Sequence, residues 1–187
     1  MFIDRGTVLL ALARSAIARA LGLPYTRTSR APWLLKPGAS FVTLMREGEL
    51  RGCVGTVLAR RSLLSDVRRN AVAASTRDPR FTPLTRDEYE MISIEVSLLS
   101  ALEAILCRDE SDALARLRPK IDGVFLEHEG KRATFLPQVW EALPEPVEFL
   151  AQLKAKAFLP PGFWSNDLRL WRYTVRKWKE SEFKAAA

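Results

Sequence analysis

Apolar residues repeat at helical spacing in two segments of the N-terminal half. The first repeat covers residues 9–21, and Gly22 and Pro24 behind it predict the end of that helix. The second helix is predicted to begin after Ser62, which suits an N-cap, and to end before Pro79. Both helices carry one apolar face, so both are expected to pack against a core.

Alternation with a period of two predicts strands elsewhere. In MISIEVSLLS, residues 91–100, apolar side chains alternate with serine and glutamate, which predicts a strand with one buried face. Segments 40–57 and 123–136 each hold two apolar arms about a Glu-Gly turn, and we interpret both as β-hairpins. LRLWRYTVRKW, residues 168–178, predicts one long closing strand.

Three weaker signals complete the secondary structure. Pro146 predicts the first turn of a helix, residues 111–117 predict a short helix, and Thr85 with Glu88 predicts a capping box. Because hairpins alternate with helices, we predict an α+β fold with a largely antiparallel sheet flanked by helices. The 187 residues fit one domain spanning positions 1–187, without a flexible linker.

The chain is basic, with a formal net charge of +7 and a pI of about 9.8. A net positive charge suggests a nucleic-acid partner, because lysine and arginine attract phosphates irrespective of the nucleotide sequence. The charges are scattered, however: arginine pairs occur at 60–61 and 68–69, and no basic arm or aromatic RNA-binding signature is present. A solvated arginine-rich surface is therefore favoured over a nucleic-acid partner.

The cysteine and histidine content limits the possible chemistry. Two widely spaced cysteines, Cys53 and Cys107, are typical of a reducing compartment. No apolar run approaches the length of a membrane span, and the N-terminus does not have the pattern of a signal peptide, so a cytoplasmic protein without a membrane partner is expected. With one histidine and no phosphate-loop or dinucleotide fingerprint, neither a metal site nor a cofactor is predicted.

The segment ELRGCVGT, residues 49–56, combines an arginine, a thiol and two glycines in a predicted strand. Alternation would put Arg51 and Cys53 on one face, where a guanidinium favours the reactive thiolate. Backbone N–H groups at Gly52 or Gly55 could meet an anionic oxygen. The alternative stays open that Cys53 packs as a small hydrophobe and the glycines make room for a helix.

A reactive thiol needs a proton acceptor. His128, beside a hairpin turn, is expected to be exposed rather than paired with Cys53. The segment STRDPRFTPLT, residues 75–85, offers Asp78 for acid or base work and Arg80 for binding, just after a helix that carries Asn70. The alternative is a rigid turn in which Asp78 pairs with an arginine.

Five ordered blocks resemble one known family. LRGCVGT, AVAASTRDPRFTPLT, ISIEVSLLS, IDGVFLEHEGKRATFLPQVWEALPEPVEFLAQLKAKAFLP and FWSNDLRLWRYTV are similar to successive blocks of the AMMECR domain family, whose bacterial and archaeal form is called AmmeMemoRadiSam system protein A. The resemblance runs from about Thr7 to Trp178. Phe158 departs from it, because glycine is usual at that position.

The resemblance implies two unequal lobes that share one compact unit, with residues 50–55 as the family hallmark. It also implies two partners, a Memo-like protein and a radical S-adenosylmethionine protein, but no reaction. The hallmark residues Arg51, Gly52, Cys53 and Gly55 and the second block of Asp78 and Arg80 match the family pattern.

Three functional hypotheses follow, and whether the chain is an enzyme stays open. In the first, it is an accessory enzyme or ligand-binding subunit of the three-component system, with Cys53 and Asp78 catalytic and Arg51, Gly52, Gly55, Asn70 and Arg80 binding. In the second, it is a noncatalytic adaptor that docks the Memo-like protein. The third and weakest is nucleic-acid binding.

Overall fold

The computed structural model describes residues 4–26 and 31–184. Its elements, in chain order, are α1 (Arg5–Ala20), β1 (Ser40–Arg46), β2 (Glu49–Gly55), α2 (Leu63–Thr76), β3 (Ile92–Leu99), β4 (Glu103–Ala104), α3 (Glu110–Arg116), β5 (Gly123–His128), β6 (Lys131–Phe135), α4 (Pro146–Lys156), β7 (Arg169–Tyr173), β8 (Val175–Lys179) and α5 (Glu180–Lys184). The chain divides into two compact units, which we call the first unit (residues 1–99 and 176–187) and the second unit (residues 100–175).

The first unit contains a four-stranded sheet in the order β2-β1-β3-β8. β1 pairs antiparallel with β2 and with β3. Apolar side chains that alternate along β1 and β3 meet the apolar stripes of α1 and α2, and this contact forms the core of the unit. Val42, Leu44, Ile94 and Val96 on the strands and Leu9, Leu12 and Val67 on the helices are fully buried.

The predicted end of α1 before Gly22 and both predicted ends of α2 are confirmed, whereas the start of α1 was not predicted. Asp4 caps α1 by accepting hydrogen bonds from the N–H groups of Gly6 and Thr7. Ser62 caps α2 by accepting from the N–H of Ser65, and α2 ends three residues before Pro79.

The second unit contains a sheet in the order β4-β7-β5-β6, together with α3 and α4. Its core centres on Trp140, whose ring stacks on Phe149 with the ring centroids 3.7 Å apart. The indole N–H of Trp140 donates to the carbonyl of Asp122 at 2.7 Å, so this buried aromatic keeps its one polar group satisfied.

The predicted long closing strand is wrong. It is interrupted at Thr174, whose carbonyl accepts a hydrogen bond from the N–H of Ser100 and whose N–H donates to the Ser100 hydroxyl. Residues before the break pair with β4 and β5, whereas those after it join the sheet of the first unit. Both halves alternate in polarity, so periodicity alone cannot reveal the change of sheet.

The predicted α+β class is confirmed, with two antiparallel sheets in place of one. That residues 1–187 form one domain stays a prediction. Across residues 4–26 and 31–184, no helix has the length and apolarity needed to cross a bilayer.

Candidate functional site

The hallmark segment forms β2, an edge strand of the first sheet. A two-residue turn joins it to β1, with Glu47 at φ 53° and Gly48 at φ 85°, as a tight hairpin requires. The register then shifts, because Met45 lies opposite Leu50 but Leu44 lies opposite Gly52. Arg51 is therefore the extra residue of a β-bulge. The bulge interrupts the regular pairing of β2 with β1 between Leu50 and Gly52.

The two hallmark glycines meet packing partners. A Cβ on Gly52 would lie 2.2 Å from the carbonyl oxygen of Ala74, so only glycine lets α2 approach the strand this closely. A Cβ on Gly55 would lie 2.2 Å from the ring of Phe41. Gly52 thus matches the alternative that glycine makes room for a helix, whereas Gly55 makes room for a ring on the neighbouring strand. No ligand is needed to explain either glycine.

Cys53 is a free, half-buried cysteine on the sheet face away from the helices. Its sulfur lies 3.2 Å from the hydroxyl of Thr43, the residue opposite it on β1. Thr43 in turn lies opposite Glu95 on β3, and Glu95 is ion-paired with Lys177 and Lys179 on β8. These residues form a polar row across one sheet face, and sequence reasoning found only its cysteine.

Asp78 closes the outer edge of β2. One carboxylate oxygen accepts from the N–H of Cys53 at 2.8 Å and from the Arg80 guanidinium at 2.7 Å. The other accepts from the backbone N–H and the Nε of Arg80. The Arg80 hydrogen bonds, followed by that of Cys53, hold the pKa of the Asp78 carboxyl well below its ordinary range. Asp78 is therefore ionised and a weak base. Its hydrogen bond to the Cys53 N–H holds the segment after α2 against β2.

Arg80 makes a second contact between this segment and β2. Its Nη2 lies 3.3 Å from the carbonyl oxygen of Cys53, while its guanidinium lies 5.4 Å from the centre of the Phe81 ring. The hydrogen bonds to Asp78 raise the pKa of Arg80. About half of the side chain stays in contact with solvent, at 53% exposure, so this guanidinium can meet a further partner.

Arg51 is engaged by the protein itself. It donates to both oxygens of Glu88, at 2.9 and 3.0 Å, and to the carbonyl of Thr82 at 3.0 Å. Chiefly because of these Arg51 hydrogen bonds, the pKa of Glu88 falls to about 2. Glu88 also accepts from Arg46 at 2.9 Å. The anionic partner of Arg51 is therefore the Glu88 carboxylate.

The predicted capping box holds Glu88 in place. The hydroxyl of Thr85 accepts from the N–H of Glu88, and Glu88 accepts from the N–H of Thr85 at 3.0 Å. The segment forms turns, not the predicted turn of helix.

The contacts of Asp78, Arg80 and Arg51 together fasten residues 78–88 to the edge strand. We call this group of residues the latch: it consists of Arg51, Cys53, Asp78, Arg80, Phe81 and Glu88.

Asn70 belongs to a separate buried network. Its amide donates to the Ser40 carbonyl at 2.9 Å and to Asp66 at 3.0 Å. Asp66 also accepts from the Ser40 N–H and hydroxyl and from the hydroxyl of Thr56. This network ties α2 to the start of β1 and was missed from sequence, although Asp66 and Asn70 are four residues apart and so share one helix face.

Two further expectations concern His128 and Cys107. His128 is not exposed: it is 8% exposed, and its ring lies 4.8 Å from that of Phe163. It belongs to the second unit, whereas Cys53 belongs to the first. Cys107 packs against the core of the second unit, where burial raises the pKa of its thiol.

Comparison with known proteins shows the family to which the chain belongs. A family model described as AMMECR1 matches residues 10–178. The chain belongs to the AMMECR1 family. A Thermotoga maritima protein is 39% identical over 142 residues, which are 75% of this chain and 76% of that one. A Methanothermobacter thermautotrophicus protein is 32% identical, with 95% of each chain covered.

A solved structure agrees with this assignment. The crystal structure of an uncharacterised protein from Pyrococcus horikoshii matches with a TM-score of 0.84 at 28% identity, and the match covers 95% of this chain and 93% of that one. The latch is therefore a feature of an AMMECR1 domain, and its role has to be inferred from its own geometry.

Proposed function

We propose that this AMMECR1 protein is a noncatalytic binding subunit of a cytoplasmic three-component system, in which the latch docks a Memo-like protein and a radical S-adenosylmethionine protein is the third member. The observation that carries the proposal is the state of Asp78. Its carboxylate is engaged by Cys53 and Arg80 and stays ionised, so it is a poor proton acceptor for the thiol. The two free cysteines support the cytoplasmic location.

The composition of the latch supports docking. Phe81 lies near two guanidiniums, with its ring centre 6.0 Å from that of Arg51 and 5.4 Å from that of Arg80. Arginines and aromatic residues dominate the energetics of protein interfaces. Because Glu88 and Asp78 already hold the two arginines in position, a partner would meet a preorganised surface and lose little side-chain entropy on binding.

The test is a titration of the Memo-like protein from the same organism against two variants. Phe81→Ala removes the ring near the guanidiniums but leaves both arginine–carboxylate pairs in place. We expect it to weaken the complex by at least about tenfold, the usual cost of truncating an interface anchor. Asp87→Ala is the matched control, because Asp87 is exposed in the same segment and, within the described part of the chain, makes no hydrogen bond or ion pair.

Two results would refute the docking role. One is the absence of any complex with the wild-type protein. The other is an equal loss of affinity in Phe81→Ala and Asp87→Ala, which would assign the effect to general charge or stability.

The polar row favours a second candidate function, thiol chemistry at Cys53. The half-buried sulfur lies 3.2 Å from the Thr43 hydroxyl, which can donate a hydrogen bond to a thiolate. If Cys53 is a reactive thiol, it should be alkylated in the folded protein much faster than Cys107, because burial raises the pKa of the Cys107 thiol. Equal and slow labelling of the two cysteines by iodoacetamide, read by peptide mass spectrometry, would remove this candidate.

A further inference from the structure

A cavity of about 400 Å³ lies along the exposed side of α2 in the first unit, apart from the latch residues. Four arginines line it: Arg61, Arg68, Arg69 and Arg77. The remaining lining comes from Asn70 and from two small apolar side chains. No carboxylate and no aromatic ring is among the lining residues.

Three of the four guanidiniums lack a protein partner. Arg68, Arg69 and Arg77 are exposed and make no ion pair or side-chain hydrogen bond with any residue that the structure describes. Arg61 alone approaches a carboxylate, with its Nε 3.9 Å from Asp66. That carboxylate is buried in the network around Asn70 and does not line the cavity, so one carboxylate stands against four guanidiniums and the cavity keeps an excess of positive charge.

Such a group of like charges carries an electrostatic cost that an anion would relieve. By contrast, Arg14, Arg51 and Arg80 in the same unit are each matched with a carboxylate. The guanidinium group suits phosphate in particular, because its planar fork donates two parallel hydrogen bonds to two oxygens. The unmatched arginines are therefore equipped to bind phosphate.

The size and lining of the cavity indicate a small ligand. Its volume falls within the range of about 300 to 1,000 Å³ that is typical of small-molecule sites. Single-stranded nucleic acids are usually bound by basic grooves that also present aromatic side chains for base stacking. This cavity has the basic side chains and lacks the aromatic ones, so it can recognise phosphates but offers no platform for bases.

We propose that the arginine-lined cavity of α2 binds a small polyanion with two or more linked phosphate groups. Several guanidiniums can then each take a different phosphate, which a single orthophosphate cannot provide. The site uses no latch residue, so it would operate independently of the docking surface.

The test is a calorimetric titration of the whole chain with inorganic tripolyphosphate at low salt, with orthophosphate as the comparison. We expect tripolyphosphate to bind more tightly than orthophosphate. The double variant Arg68→Ala/Arg69→Ala should weaken tripolyphosphate binding by at least about tenfold, because each lost charge-assisted contact contributes substantially to affinity.

The matched control is Arg60→Ala/Arg169→Ala. It removes the same charge from two exposed arginines that do not line the cavity. We expect it to keep most of the affinity, and tripolyphosphate should raise the Tm of the wild type and of this control but not that of Arg68→Ala/Arg69→Ala. Because all four side chains are exposed, every variant is expected to fold.

Two outcomes would overturn the proposal. The first is no measurable tripolyphosphate binding, or an equal loss in the control variant, which would reduce the effect to net charge. The second is tighter binding of a single-stranded oligonucleotide of about 16 nucleotides that disappears in Arg68→Ala/Arg69→Ala, which would assign the cavity to nucleic acid.

Discussion

At the scale of single residues, Asp78 holds the latch together. It is 4% exposed, and it satisfies an edge-strand N–H that would otherwise have no partner. We expect Asp78→Asn to destabilise the first unit by about 2 kcal/mol, because a buried charge-assisted hydrogen bond is lost and Arg80 loses its counter-charge. Chemical denaturation should detect the change. Asp87→Asn, an exposed neighbour, should leave the free energy of unfolding nearly unchanged, and equal effects of the two variants would contradict the account.

Glu88 should make the stability of the protein depend on pH. Its pKa is lowered from an ordinary 4.5 to about 2 in the folded state. As pH falls, the unfolded state takes up the proton first, so the stability that Glu88 provides is complete above about pH 4.5 and is lost as pH falls towards 2. Denaturation at a series of pH values should therefore give a smaller loss of stability across this window for Glu88→Gln than for the wild type. Identical pH profiles for the two proteins would show that the carboxylate is not held by Arg51 as described.

Phe158 occupies a backbone conformation that favours glycine. It ends α4 at φ 58°, where Leu159 N–H donates to the Lys154 carbonyl and Phe158 N–H donates to that of Ala155. This is a Schellman motif with an aromatic residue at its left-handed position. The turn thus forms with phenylalanine at the position where the family resemblance predicts glycine.

Replacing Phe158 should stabilise the second unit. Phe158→Gly is expected to add about 1 kcal/mol, because it removes the strain of a left-handed residue. Phe158→Ala is the control: it removes the same ring, which is 87% exposed, but keeps the strain, so its stability should stay close to that of the wild type. A gain of equal size in both variants, measured by thermal unfolding, would attribute the effect to the ring.

At the scale of elements, the contact between β2 and α2 depends on Gly52. A side chain there would meet backbone, the Ala74 carbonyl, which cannot rotate away. We expect Gly52→Ala to destabilise the first unit by about 2 kcal/mol or more, because strand and helix must separate. Gly162→Ala is the control, since a Cβ there meets nothing within 4 Å. If both variants unfolded at the same denaturant concentration as the wild type, the close approach would be wrong.

Much of the element order follows from the sequence. Caps, turns and periodicity are local, so the two N-terminal helices, both hairpins and the helix opened by Pro146 could be predicted. The features that failed are not local. The break at Thr174 depends on a hydrogen bond with Ser100, and the burial of His128 depends on contact with Phe163.

The sequence placed Arg51, Cys53, Asp78 and Arg80 in one candidate site, and their common function stays a prediction. The structure brings them together in the latch, through contacts that spacing could not reveal. The bulge at Arg51 and the choice of Glu88 as its partner cannot be deduced from spacing, because they arise from a loop folding back on an edge strand. This difference changes the interpretation from a thiol activated by arginine to a strand fastened by two ion pairs.

At the scale of the whole molecule, the chain is an AMMECR1 protein of two units. Its hallmark residues contact other residues of the first unit: Arg51 contacts Glu88, Gly52 contacts Ala74, and Cys53 contacts Asp78 and Thr43. The Arg80 guanidinium and the half-buried Cys53 thiol keep contact with solvent. The docking role rests on Phe81 and Arg80, and thiol chemistry rests on Cys53. The two functions can therefore be separated by substitutions that leave the fold intact.

The most direct measurement compares Cys53→Ser and Phe81→Ala in one titration with the Memo-like protein. Serine keeps the size of Cys53 and its hydrogen bond to Thr43, so the account predicts an affinity within about twofold of the wild type for Cys53→Ser and at least about tenfold weaker for Phe81→Ala. Full affinity in Phe81→Ala would contradict the central claim that the partner docks on Phe81 and the arginines of the latch, and loss of the complex in Cys53→Ser alone would return the function to the thiol.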